Sequence, residues 1–144
     1  MLGEDVDGAD EPEAIPLHEA DVPEMLELVR QTQPGPFLQR TIEMGDYIGI
    51  RREGRLVAMA GERLHFEGWT EISAVCTAPP YRGHGIASRL VGSLIAGIQH
   101  RSERAFLHVT TTNTNAIRLY EDLGFRIRRG FTISVLTTEP IADP

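Results

Sequence analysis

A single α/β domain with a sheet of mixed strand direction is the fold class this sequence predicts. Three observations predict it. The chain has 144 residues, one domain's worth of polypeptide. Segments 47–51, 56–64 and 70–77 are rich in apolar and β-branched residues and are separated by short glycine-bearing turns, the pattern of an antiparallel meander. After residue 85 the apolar spacing becomes helical at Ile86, Leu90, Val91, Leu94, Ile95 and Ile98. A short apolar strand follows at 105–109, and then a second helical stripe at Ala116, Leu119, Tyr120 and Leu123. A strand–helix–strand passage calls for a parallel neighbour pair joined by a right-handed crossover.

Taken in order, residues 1–13 are acidic and nearly devoid of apolar side chains, and are expected to form a mobile tail before a domain at 14–137. A short strand is expected at 14–17. Asp21 stands where a helix cap belongs, with Pro23 in the first turn and Met25, Leu28 and Val29 as the apolar stripe. Gln33-Pro34-Gly35-Pro36 must end that helix. Gly54 and Gly68 mark the meander's turns, and Gly124 sits where a second long helix would stop. Segments 126–129 and 131–136 read as closing strands, and 138–144 as a C-terminal tail.

All 14 basic residues are Arg, and net charge is -7. Nine acidic residues lie within positions 1–24, where there is no Arg; the remainder carries 14 Arg against 12 acids. The folded part is therefore close to neutral, which argues against a nucleic-acid-binding face. No run of apolar residues is long enough to cross a membrane as a helix, and the acidic start lacks a signal peptide's basic region. A cytoplasmic location is expected. Cys76 is the single cysteine, so neither an internal disulfide framework nor a cysteine-rich zinc site is possible. His65, His84 and His100 show no metal-ligand spacing.

The chemistry concentrates at 77–87, where a strand runs through Tyr81-Arg82-Gly83-His84-Gly85 into a helix. A helix start carries unpaired N–H groups and partial positive charge. Gly83 and Gly85 let an anion approach the backbone, and Arg82 adds a full charge. This reads as a phosphate or pyrophosphate cradle. It is not a Walker loop, since the chain has no Lys, and Ser88 stands where a dinucleotide fingerprint needs its third glycine.

Arg82-x-x-Gly85-x-Ala87 resembles the R/Q-x-x-G-x-G/A signature of GNAT-superfamily acetyltransferases. Asn113-x-x-Ala116-x-x-Leu119-Tyr120-x-x-Leu123-Gly124-Phe125 resembles a second motif of that family, and the strand Glu71 to Thr77 is similar to the one feeding the first. The resemblance covers about residues 69–136. It implies the GNAT fold, with two splayed parallel strands, and direct transfer of acetyl from acetyl-CoA to an amine without a metal. Backbone groups of Val75, Cys76 and Thr77 would hold the pantetheine. Those of Arg82, Gly83, His84, Gly85, Ile86 and Ala87 would hold the pyrophosphate, with Asn113 beside the cofactor. Tyr120 would protonate the departing thiolate. Tyr120 also fits plain core packing, and Asn113 a helix cap.

Two general bases remain open. Glu71 matches the carboxylate position of histone-type members, and His108 matches the base position of ribosomal-protein alanine acetyltransferases. Strand alternation places Glu71, Ser73, Val75 and Thr77 on one face. A lysine-like amine is neutral about once in 2,500 molecules at pH 7, roughly 4.6 kcal/mol of penalty, against about 1.4 kcal/mol for an α-amino group, so a weakly equipped site favours the latter. The acceptor is a small-molecule or peptide amine, approached from segments 32–41 and 63–69, which carry Arg40, Arg63, His65, Glu67 and Trp69. The alternative is a silent acyl-CoA-binding sensor. A homodimer sharing a sheet edge is compatible with the sequence, but no feature demands one.

Overall fold

The computed structural model of the protein describes residues 1–4, 6–128 and 130. Among the described residues, six strands form one sheet in the order β1-β6-β5-β4-β3-β2: β1 is Leu2–Gly3, β2 Ile15–Pro16, β3 Tyr47–Arg52, β4 Arg55–Phe66, β5 Trp69–Thr77 and β6 Arg104–Leu107. Every neighbouring pair is antiparallel except β5 and β6. The β3–β4 hairpin closes on Glu53 (φ 52°) and Gly54 (φ 76°), the two left-handed residues that match the twist of a two-residue hairpin.

Helix α2 (Ile86–His100) supplies the crossover between β5 and β6. Its stripe of Ile86, Leu90, Val91, Leu94, Ile95 and Ile98 is buried against Ile72, Ala105 and Leu107 on one sheet face. Helix α1 (Val22–Thr32) covers part of the other face, where Met25 and Leu28 join Tyr47, Met59, Ala74 and Cys76. Gln33 adopts φ 49° and donates to the Val29 carbonyl at 2.7 Å, closing the helix before Pro34. Asp21 stands at its N-cap position, as expected, but its side chain makes no cap bond. Its carboxylate accepts from the His18 N–H and pairs with Arg51, each at 2.8 Å. Helix α3 (Thr114–Asp122) brings Tyr120 into the α2-side core beside Phe125.

The expectation of a free tail at 1–13 is corrected. Leu2 pairs with Phe106 and Gly3 with Ala105, extending the sheet past β6. The Met1 amine donates to the Leu107 carbonyl at 2.6 Å, Val6 is buried, and the Ala9 N–H donates to Gly92 O on α2 at 3.1 Å. Backbone bonds hold this segment, so its side chains need no periodic pattern. Of the closing strands expected at 126–129 and 131–136, Arg126 makes an isolated bridge to Leu2, and 131–136 lie outside the described residues. No helix among the described residues is long and apolar enough to cross a membrane.

Candidate active site

The parallel ladder between β5 and β6 runs from Trp69↔Arg104 to Ile72↔Leu107 and stops. From Ser73 to Thr77, β5 keeps its bonds to β4 but has no ladder on the β6 side among the described residues. The strands therefore part at their C-terminal ends, with Val75, Cys76 and Thr77 on one arm and His108 just past the end of the other. Ala74, at φ 55°, causes a second departure from regularity, matched by a register break opposite Met59–Gly61. This bulge inserts a residue and breaks the alternation. Ile72 and Val75 thus both pack toward α2, while Ala74 and Cys76 face α1. The expectation that Val75 shares a face with Glu71 is corrected accordingly.

Below the open arm, β5 runs through the short 3₁₀ turn Pro79–Tyr81 into the glycine loop. Gly83 (φ 82°) and Gly85 (φ 73°) are both left-handed, and the space above each is open. No side chain among the described residues caps α2 at Gly85, which leaves its first-turn N–H groups without a side-chain partner there. The Arg82 guanidinium is tethered by its Nε, which donates to Thr77 O at 3.0 Å. The His84 ring sits against Tyr81 O at 3.1 Å. Beside this loop a cleft of about 310 Å³ runs between Ser88 of α2 and Asn115 and Arg118 of α3. Sequence reasoning named Ser88 only as the residue that breaks a dinucleotide fingerprint, and assigned no role to Asn115 or Arg118. Their only signal was helical spacing, which placed them on the exposed sides of two helices whose relative placement it could not give.

The Thr77 hydroxyl oxygen is buried and has no hydrogen-bond partner among the described residues. An orphaned polar atom at the end of an unpaired strand edge fits a ligand that lies along that edge and bonds to it. Asn113 caps α3, its Oδ1 accepting from the Ala116 N–H at 3.2 Å. Tyr120 is buried, and burial, with the neighbouring Cys76 thiol adding to it, pushes its hydroxyl up to about 12. Burial likewise pushes the Cys76 thiol up to about 11, against smaller opposing contributions from Thr32, the Met59 backbone and Arg82. Cys76 is thus a protonated, inert thiol. Its alkylation by iodoacetamide at pH 8 is expected to run at least ~100-fold slower in the folded protein than in urea, because only the thiolate reacts. Equal rates would remove it from the core.

Glu71 and His108, open alternatives in the sequence, are in direct contact. The Glu71 carboxylate is 1% exposed. It accepts from Arg63 Nε at 3.1 Å and Nη2 at 2.8 Å, a two-pronged pair, and lies 2.8 Å from His108 Nδ1. A carboxylate only accepts, so Nδ1–H is the donor in this pair. Tyr47 lies near the Arg63–Glu71 pair, its ring pressed on Gly61, where any side chain would collide. Its buried hydroxyl has no partner among the described residues, and burial pushes it up to about 12. No cluster of three potential metal ligands occurs among the described residues.

A parallel pair that opens above an uncapped, glycine-started helix defines a GNAT-type acyltransferase fold. Residues 47–133 match the FR47-like protein family, and the chain belongs to that family within the GNAT superfamily. A GNAT-family protein from Novosphingobium aromaticivorans superposes with a TM-score of 0.84 at 46% identity, over 89% of this chain and 58% of that one. Arabidopsis thaliana Naa50, solved with the bisubstrate analogue CoA-Ac-MVNAL, shares the fold at TM-score 0.74 and 21% identity, over 88% of this chain and 91% of its own. The mycothiol acetyltransferase of Brachybacterium faecium is 31% identical over 129 residues, 83% of this chain and 38% of that protein. The chain thus spans well under two thirds of the length of the Novosphingobium and Brachybacterium relatives.

Proposed function

We propose that the protein transfers the acetyl group of acetyl-CoA directly to a primary amine. The observation that carries this reading is the opened β5 edge, ending on the orphaned Thr77 hydroxyl and leading through the glycine loop into the uncapped start of α2. Backbone groups of Val75, Cys76 and Thr77 bond the pantetheine as a missing strand would. The N–H groups from Arg82 to Ala87 hold the pyrophosphate, where the helix dipole favours negative charge. The Asn113 amide nitrogen lies beside the cofactor, its oxygen being used by the helix cap.

The acceptor nitrogen attacks the thioester carbonyl. A C–N bond forms, the C–S bond breaks, the nitrogen's surplus proton passes to the His108–Glu71 pair, and Tyr120 protonates the thiolate. Glu71 fixes the histidine's tautomer and balances the charge it gains; Arg63 holds Glu71 in place. The products are the acetamide and free CoA.

Calorimetry with acetyl-CoA, followed by thiol release across a panel of amines, tests the reading. Binding with thiol release supports transfer. Binding without release across the panel assigns the sensor role instead, and no binding of any CoA species removes the cradle. Gly85→Val probes the cradle directly. A β-branched residue at φ 73° costs about 1–2 kcal/mol of backbone strain, and its methyls stand where the diphosphate must approach. The acetyl-CoA Kd is expected to rise by roughly 30-fold or more, which at ~1.4 kcal/mol per decade exceeds the strain alone. An unchanged Kd in folded variant protein would refute the site.

A further inference from the structure

On the sheet face opposite α2, an aromatic row leads away from the base. The His108 ring meets the Phe106 ring edge-on, with centroids 5.8 Å apart at 84°, and Phe106 meets Phe66 at 5.8 Å and 40°. Phe106 stands in register with Glu71, so the row begins at the reacting centre. Phe66, from the end of β4, is 60% exposed. A large side chain held against another ring, yet left mostly in water, has apolar surface still to cover.

The charges bordering the row narrow what covers it. Glu71 is matched by Arg63, and Glu4 lies 3.8 Å from Arg104, which itself sits 5.7 Å over the Trp69 ring. Glu71, buried and gripped by Arg63, is not available to a second ammonium. Resting on the acetyltransferase reading, we propose that the Phe66–Phe106 pair is the acceptor's side-chain shelf, and that the substrate is a primary amine bearing an aromatic or large apolar group close to its nitrogen. With the nitrogen at His108, a group two to four bonds away lands on Phe106 and reaches Phe66. Polyamines and other polycations, lacking an aromatic or large apolar group, do not cover the ring pair.

The test compares initial rates of thiol release with ethylamine, 2-phenylethylamine, spermidine and two peptides that differ only in an N-terminal Phe or Asp. The aromatic member of each matched pair is expected to have a kcat/KM about 30-fold higher, the effect of covering one phenyl ring, on the order of 2 kcal/mol. The free-amine and peptide arms distinguish the two sources of that chemistry. Phe66→Ala and Phe106→Ala are expected to shrink the preference to about threefold, mainly through KM, with acetyl-CoA affinity retained as the check on folding. Phe66→Leu restores part of it. Transfer that favours spermidine, or that treats ethylamine and 2-phenylethylamine alike, overturns the shelf while leaving the acetyltransferase reading intact. A wild-type dimer that Phe66→Ala converts to monomer, with amine preference unchanged, assigns the shelf to a second copy and also overturns it. Acetyl-CoA binding with no amine acetylated removes both readings.

Discussion

Tyr120→Phe is expected to lower kcat by roughly 100-fold or more, the usual yield of a positioned proton donor, while leaving the acetyl-CoA Kd within about twofold. Two readings of this side chain compete, and they separate cleanly. Tyr120 lies on the buried stripe of α3, its ring edge-on to Phe125 at 5.9 Å, which is enough to explain a tyrosine as core. A core tyrosine stripped of its hydroxyl keeps the ring contacts, so turnover would survive. A proton donor stripped of its hydroxyl leaves the thiolate to depart unprotonated. The hydroxyl's position above the ordinary tyrosine range, at about 12, also fixes the sign of the pH effect. The protonated form is the active one and persists as pH rises. The wild-type kcat is therefore expected to show no descending limb up to pH 10. A limb that appears near pH 9 and vanishes in Tyr120→Phe would show a far more acidic hydroxyl than burial allows. Full turnover by the variant would return Tyr120 to the core.

Much of this site could be read from the chain, and what could not has physical causes. The glycine loop was legible because a left-handed backbone at Gly83 and Gly85 calls for glycine. Helix α2 was legible because its stripe meets a sheet along its whole length. The bulge at Ala74 was not, since a non-glycine residue at φ 55° is stabilised by its surroundings and carries no mark of its own. The edge strand β1 was hidden for a related reason. Two residues joined to β6 by backbone bonds carry no alternating pattern, and the acids around them spoke for solvent. The union of Glu71 with His108 spans 37 positions, and β6 had to lie parallel beside β5 in the observed register to bring them together. Composition placed Arg63 only near the acceptor. Its two-pronged grip on Glu71 required a β4–β5 register that shifts between Glu62 and His65.

That union makes the double variant more informative than either single one. Glu71→Gln and His108→Ala are each expected to lower kcat by about 100-fold on an ordinary alkylamine. If Glu71 acts through the histidine, the double variant should be no worse than His108→Ala alone by more than about threefold, since groups that work as a unit are not additive. Were Glu71 itself the base, His108→Ala would retain most of its rate and Glu71→Gln almost none. Folding is a real concern here. Removing one partner from a buried ion pair costs about 3–5 kcal/mol, and Glu71→Gln leaves the Arg63 guanidinium without its counter-charge. A stability loss alone, however, would depress every acceptor equally. Proton removal matters less as the amine becomes less basic, because more of it arrives neutral. The deficit of both single variants should therefore shrink sharply on a weakly basic amine such as trifluoroethylamine. A deficit independent of amine basicity would reduce the Arg63–Glu71–His108 chain to scaffolding and leave the proton to solvent.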